Sequence, residues 1–189
     1  MMPPLWVIIP AAGVGQRMQA NCPKQYLLLA GQTILDRTLD IFMSHPRIAG
    51  VIVGVSANDA YWSDSKWHKH DFVHTFVGGR ERSDTVQKGL RYMMDITGIQ
   101  QQDLLTYAAL DRIIDHSSSQ GAILAMPVKD TVKLQISGQV SVETTLDRSN
   151  IWLAQTPQKF PSQALLNALE KAHIEGVSVT DECSAMEFV

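Results

Sequence analysis

A strand that is apolar at every position has to be covered on both faces, and residues 5–9 (LWVII) are such a strand. The pattern recurs along the chain. In TILDRTLDIFMSHP, residues Ile34, Leu35, Thr38, Ile41 and Phe42 form one helical stripe that Thr33 can cap. GVIVGVS (50–56) and VHTFV (73–77) are further strands, and Val86, Leu90, Met93 and Met94 share one face of the helix that follows. QGAILAMPV (120–128) and NIWLAQTP (150–157) read as strands; Pro161 opens a helix through Leu165, Leu166 and Leu169 that stops at Gly176. Strands alternating with helices predict an α/β fold, a mostly parallel sheet with helices on both faces.

Three segments depart from that scheme. TVKLQISGQVSVET (131–144) alternates around Ser137-Gly138, which predicts a two-residue hairpin projecting from the sheet. A helical pattern from Asp103 to His116 follows the helix ending near Thr97 with no strand between them. TDECSAMEF starts a capped helix, with Thr180 as cap, just before Val189. We therefore expect the whole protein to carry residues near 99–103 and after 189 beyond those given.

Composition bounds the function. The 189 residues suit a single domain over 1–189, and 45% hydrophobic with 19% charged residues is ordinary for a globular chain. A net charge of −3 argues against a surface for nucleic acid, so any anion site must be locally cationic. WSDSKWHKHDF (62–72) mixes aromatics with Lys and His but does not outweigh that balance. Cys22 and Cys183 have no metal or CxxC spacing, and the N-terminal apolar run is too short for a membrane span and lacks a cationic flank. The expectation is a cytoplasmic, soluble protein.

The loop after the first strand is PAAGVGQRMQANCPKQY (10–26). Its small residues Ala11, Ala12, Gly13 and Gly15 let backbone N–H groups approach an anion, and Arg17 and Lys24 supply positive charge. Loops at the carboxyl ends of parallel strands are where α/β folds bind ligands. A phosphate chain is the expected guest. No GK[ST] follows, so this is not a P-loop, and Met18 breaks the dinucleotide fingerprint, which disfavours a dehydrogenase. A second glycine turn, GGRERSDTV (78–86), can bring Gly79 and the Thr85 hydroxyl to the same edge. Cys22 lies in the first loop without a His-Asp arrangement beside it in sequence and reads as structural.

Taken together, PAAGVGQRM, CPKQY, GGRERSDTV, PVKDTV, TLDRSNIWLAQTPQKF and VTDECSAME resemble the 2-C-methyl-D-erythritol 4-phosphate cytidylyltransferases. The motifs run in family order over nearly the whole chain. The resemblance implies a Rossmann-like domain whose β-arm, at about 131–155, hooks onto a second subunit of a homodimer. It implies that Pro10 to Arg17, with Lys24, embrace the CTP triphosphate, Arg17 and Lys24 being catalytic, and that Gly79 and Thr85 sit by the cytosine. Thr131, Thr156 and Thr180 match acceptor-pocket positions, and Arg148 matches an arm arginine that positions the acceptor phosphate in the partner's site. Mg²⁺ is the implied cofactor. The family's His-Asp-Ala-Ala-Arg-Pro stretch, whose aspartate binds the metal, is absent between about Ile99 and Asp103, so the metal ligands are unknown. The family's C-terminal lysine would fall beyond Val189. The implied reaction is CMP transfer from CTP to methylerythritol phosphate with release of pyrophosphate. Two alternatives stand beside it: a cytidylyltransferase for another polyol phosphate such as ribitol 5-phosphate, and a non-catalytic nucleotide-binding dimer.

Overall fold

Alternation hidden inside the apolar runs decides which face of the sheet each side chain covers. In the computed structural model, which describes residues 5–13, 22–98, 103–105, 110–116 and 118–189, strand β1 (Leu5–Pro10) turns Leu5 and Val7 to one face and Ile8 to the other. Strand β4 (Ile48–Val55) does the same, with Val51, Val53 and Val55 on the first face and Ile52 on the second. The first face packs against Leu35, Leu39 and Phe42 of helix α1 (Ile34–Met43). The second packs against Leu90 and Met93 of α2 (Arg82–Thr97) and Leu165 and Leu169 of α4 (Ser162–Ile174). Each fully buried side chain of this size contributes about 1.5–3 kcal/mol, so two cores sandwich one sheet.

Two short strands, β2 (Leu28–Leu29) and β3 (Gln32–Thr33), form a small hairpin before α1. The Thr33 hydroxyl caps α1 by accepting from the Asp36 N–H at 3.0 Å, as its sequence predicts. The main sheet also contains β5 (Val73–Val77), β6 (Asp103–Leu105), β7 (Ala122–Pro127) and β10 (Trp152–Pro161), in the order β5-β4-β1-β6-β10-β7. β5, β4, β1 and β6 run parallel, and β10 runs against its neighbours β6 and β7. From β1 the chain winds outward to β4 and β5, then returns to place β6 on the other side of β1. That reversal makes the carboxyl end of β1 a topological switch point, where such sheets open a ligand crevice.

The structure corrects four local expectations. Residues 103–105, read as the start of a helix, are strand β6, hydrogen-bonded between β1 and β10; helix α3 spans Leu110–Ile114. A gap in the centre of the sheet would leave strand edges unpaired, and that requirement overrides helical periodicity. The arm strands β8 (Val132–Gln135) and β9 (Val142–Leu146) are joined by the six residues 136–141, not two. Ser137 and Gly138 do form the turn, with Gly138 at φ 76°, but Ile136 N–H bonds to Ser141 across it. Strand β10 continues past Pro157 to Pro161, so α4 starts at Ser162. Finally, α5 (Glu182–Glu187) is capped by Asp181, not Thr180: Asp181 Oδ1 accepts from the Ser184 N–H at 2.9 Å.

Strand β10 is two things in succession. Trp152 to Thr156 are exposed, whereas Pro157 to Phe160 are buried, and the pairing with β7 shifts register between Gln155 and Gln158. The outer half belongs with the arm and the inner half with the core. The aromatic stretch 62–72 folds onto the body: Trp62 Nε1 donates to Thr75 Oγ1 and Trp67 Nε1 to Asp40 Oδ1, and Lys66 pairs with Asp40. No described helix is long and apolar enough to cross a membrane.

Candidate functional site

The loops that leave β1 and β5 meet at the carboxyl edge of the sheet. Ala11 N–H bonds to Gly54 O at 2.8 Å and Gly78 N–H to Val55 O at 2.8 Å, which holds both loops against β4. They touch so closely that a Cβ on Gly78 would lie 2.5 Å from Ala12 Cβ. Between them opens a cleft of about 260 Å³, lined by Pro10, Ala11, Ala12 and Gly13 on one side and Gly79, Arg80 and Arg82 on the other, with Lys24 and Gln25 at its margin.

Six of the sequence-predicted residues therefore converge: Pro10, Ala11, Ala12, Gly13, Lys24 and Gly79. Thr85 also reaches the cleft, but its hydroxyl is already engaged. It accepts from Gly79 N–H at 2.9 Å and donates to Glu81 O at 3.0 Å, and the residue is buried. Its part in this arrangement is to shape the Gly79 turn. Gly15 and Arg17 lie outside the described residues.

Charge favours an anion here. Lys24, Arg80 and Arg82 line the cleft, and α2 begins at Arg82, which turns its N-terminal N–H groups and the positive end of its dipole toward the same space. The carboxylate of Glu81 is committed to a capping box, in which its side chain accepts from the Asp84 backbone and Asp84 accepts from the Glu81 N–H.

The predicted acceptor residues lie apart from this cleft lining. Thr131 and Arg148 are exposed on the arm, and the Arg148 guanidinium donates to Lys129 O just before Thr131. Thr156 and Thr180 are exposed on β10 and before α5. Gln158 draws those two segments together: its Nε2 donates to Asp181 Oδ2 at 2.8 Å and its Oε1 accepts from Cys183 N–H at 2.9 Å. Cys22 packs against the first core, in keeping with a structural role.

Several residues were not singled out from the sequence. Gln25 Nε2 donates to Ala11 O at 2.6 Å and so joins the Lys24 segment to the β1 loop. Arg82 pairs with Glu182 at 3.1 Å. Both sit inside quoted motifs, CPKQY and GGRERSDTV, but their partners are distant in sequence, and one-dimensional spacing carries no sign of them.

The 2-C-methyl-D-erythritol 4-phosphate cytidylyltransferase (IspD) family model matches residues 5–189. A protein of that name from Pseudomonas aeruginosa (strain UCBPP-PA14) is 42% identical over 200 residues, covering 99% of this chain and 84% of the relative. One from Vibrio vulnificus is 39% identical over 201 residues, covering 99% and 83%. The crystal structure of the Francisella tularensis enzyme superposes with a TM-score of 0.79 at 34% identity, over 98% of this chain and 86% of that one.

Proposed function

Since the chain belongs to the 2-C-methyl-D-erythritol 4-phosphate cytidylyltransferase family, we propose that it transfers CMP from CTP to 2-C-methyl-D-erythritol 4-phosphate, giving 4-diphosphocytidyl-2-C-methyl-D-erythritol and pyrophosphate. The observation that carries this is the convergence of a small-residue loop, a helix N-terminus and three cationic side chains on one cleft at the switch point of the sheet.

An acceptor phosphate oxygen attacks the α-phosphorus of CTP; that P–O bond forms as the bond to the β-phosphate bridge breaks. A phosphate monoester has a second pKa of about 6, so it attacks as a dianion and needs no general base. What the protein supplies is alignment of two polyanions and stabilisation of the charge that grows on the α-phosphoryl and leaving oxygens. The Pro10–Gly13 backbone and Lys24 take the triphosphate. Arg17 and Gly15 complete that loop in the proposal, Gly79 and the turn braced by Thr85 take the base, and Thr131, Thr156, Thr180 and Arg148 take the acceptor.

Among the described residues no three His, Cys, Asp or Glu side chains come together to hold a metal, and Glu81 on the cleft is occupied in its capping box. The described residues thus offer no all-protein cage, and a Mg²⁺ held by the phosphate oxygens of CTP with one or two carboxylates would need none; it would neutralise charge on the triphosphate.

The arm supports a homodimer. Leu134, Val140 and Val142 are exposed on it, next to exposed Met126, Trp152 and Leu153, which is more apolar surface than a lone hairpin keeps in water. Arg148, on the same arm, would then serve the partner's site. Both cysteines are free thiols, in keeping with a reducing cytoplasm.

The test is pyrophosphate release, which should depend on CTP and methylerythritol phosphate together. Lys24→Ala should lower kcat about tenfold or more with the fold intact. Wild-type turnover in that variant would remove Lys24 from the mechanism.

A further inference from the structure

Lys24 stands at the head of a single 3-10 turn, Lys24–Tyr26, and so short an element cannot hold a side chain in place by itself. Its ammonium has no hydrogen-bond or ion-pair partner among the described residues, whereas the two residues after it are both tied to distant parts of the sheet. Gln25 reaches Ala11 O on the β1 loop. Tyr26 is buried in the first core, and its hydroxyl donates to Asp59 Oδ2 at 2.8 Å. Asp59 is itself fixed, because its Oδ1 accepts from the N–H groups of Tyr61 and Trp62, both at 2.9 Å, at the start of a second 3-10 turn after β4. The Tyr26 ring stacks on Tyr61 at 5.1 Å.

We propose that the Tyr26–Asp59 hydrogen bond is the device that aims Lys24 into the cleft, so that Tyr26 and Asp59 are positioning residues for phosphoryl transfer although neither touches the substrates. The proposal rests on the assignment of Lys24 above. A lysine on a loose segment samples many rotamers and stabilises developing charge only in the fraction that is aimed; a pinned backbone raises that fraction before substrate arrives. Gln25 ties the turn to the β1 loop and Leu27 O accepts from Ile34 N–H at 3.0 Å, and the Tyr26 hydroxyl adds a tether to the loop after β4. Burial first, and then the Asp59 carboxylate, push the phenol above its ordinary range, so it remains a donor.

A double-mutant cycle decides the matter. Tyr26→Phe keeps the ring, its stacking and its burial, and removes only the hydroxyl. It should lower kcat about five- to tenfold, the worth of one such hydrogen bond, with little change in KM for methylerythritol phosphate. In a Lys24→Ala background the same substitution should change kcat less than about twofold, since nothing is left to aim. A purely structural role would instead slow both backgrounds by the same factor, and that result overturns the inference. So does wild-type kcat in Tyr26→Phe when Lys24→Ala alone is slow. If Lys24→Ala equals wild type, the assignment of Lys24 falls and the inference falls with it. Asp59→Ala, which removes the acceptor of the Tyr26 hydroxyl, runs the same cycle and decides it should Tyr26→Phe not fold.

Discussion

Arg82, on the cleft lining, pairs with Glu182, 100 residues away in sequence: Arg82 Nε lies 3.1 Å from Glu182 Oε1, and Nη2 donates to Oε2 at 3.1 Å. The Glu182 side chain is only 5% exposed, whereas that of Arg82 is 41% exposed and lines the cleft. The pair therefore ties the first residue of α5, and with it the Thr180 segment, to the first residue of α2.

Removing the arginine would leave a carboxylate buried without its counter-charge. Arg82→Met should destabilise the fold by about 1–3 kcal/mol, less than for a fully buried pair because Arg82 is partly solvated. Glu182→Gln, which leaves the charge on the wetter partner, should cost less. Urea unfolding of both variants and of the double variant checks this, and the double variant should be more stable than the sum of the two losses predicts.

Two glycines of the cleft should respond in opposite ways. A methyl on Gly78 meets Ala12 Cβ at 2.5 Å and Thr85 Oγ1 at 3.0 Å, so Gly78→Ala must part the two loops and cost about 1–3 kcal/mol. A methyl on Gly13 meets no described atom within 4 Å, so the fold should tolerate Gly13→Ala. A drop in CTP affinity for Gly13→Ala by calorimetry, with unchanged melting, would mark that space as occupied by nucleotide. Unchanged affinity would place the triphosphate elsewhere.

The arm should fail as an interface when its apolar face is charged. Val142→Asp should convert a dimer into a folded monomer in sedimentation experiments, with an unchanged far-ultraviolet spectrum. A wild-type monomer would overturn the dimer proposal.

Acid should loosen α5 through its cap. Burial tends to raise the Asp181 pKa, but N–H donation from Ser184, hydrogen bonds from Gln158 and the Ser184 hydroxyl, and the Arg82 charge together hold it below the usual carboxylate range. A carboxyl depressed in the folded state adds stability above its unfolded pKa of about 3.9 and loses it as pH falls through the folded value. Asp181→Ala should thus cost about 1 kcal/mol at neutral pH. The gap to wild type should narrow below about pH 4 in pH-dependent urea unfolding.

Much of this protein was legible in its residues because the signals are local. The apolar runs 5–9 and 50–56 marked strands covered on both faces, Thr33 marked a cap, and the small residues 11–13 with Lys24 marked a loop that lines the cleft; each depends on near neighbours in the chain. Residues 103–105 could not be read that way, since their conformation is set by the strands on either side of them. The cap moved from Thr180 to Asp181 because Gln158, on another strand, fixes Asp181 in place. Composition and periodicity alone thus determined the layers and the loop. Only the tertiary structure decided which side chains meet, such as Gln25 with Ala11, Tyr26 with Asp59 and Arg82 with Glu182, because a hydrogen bond between distant residues depends on where the folded chain places both partners.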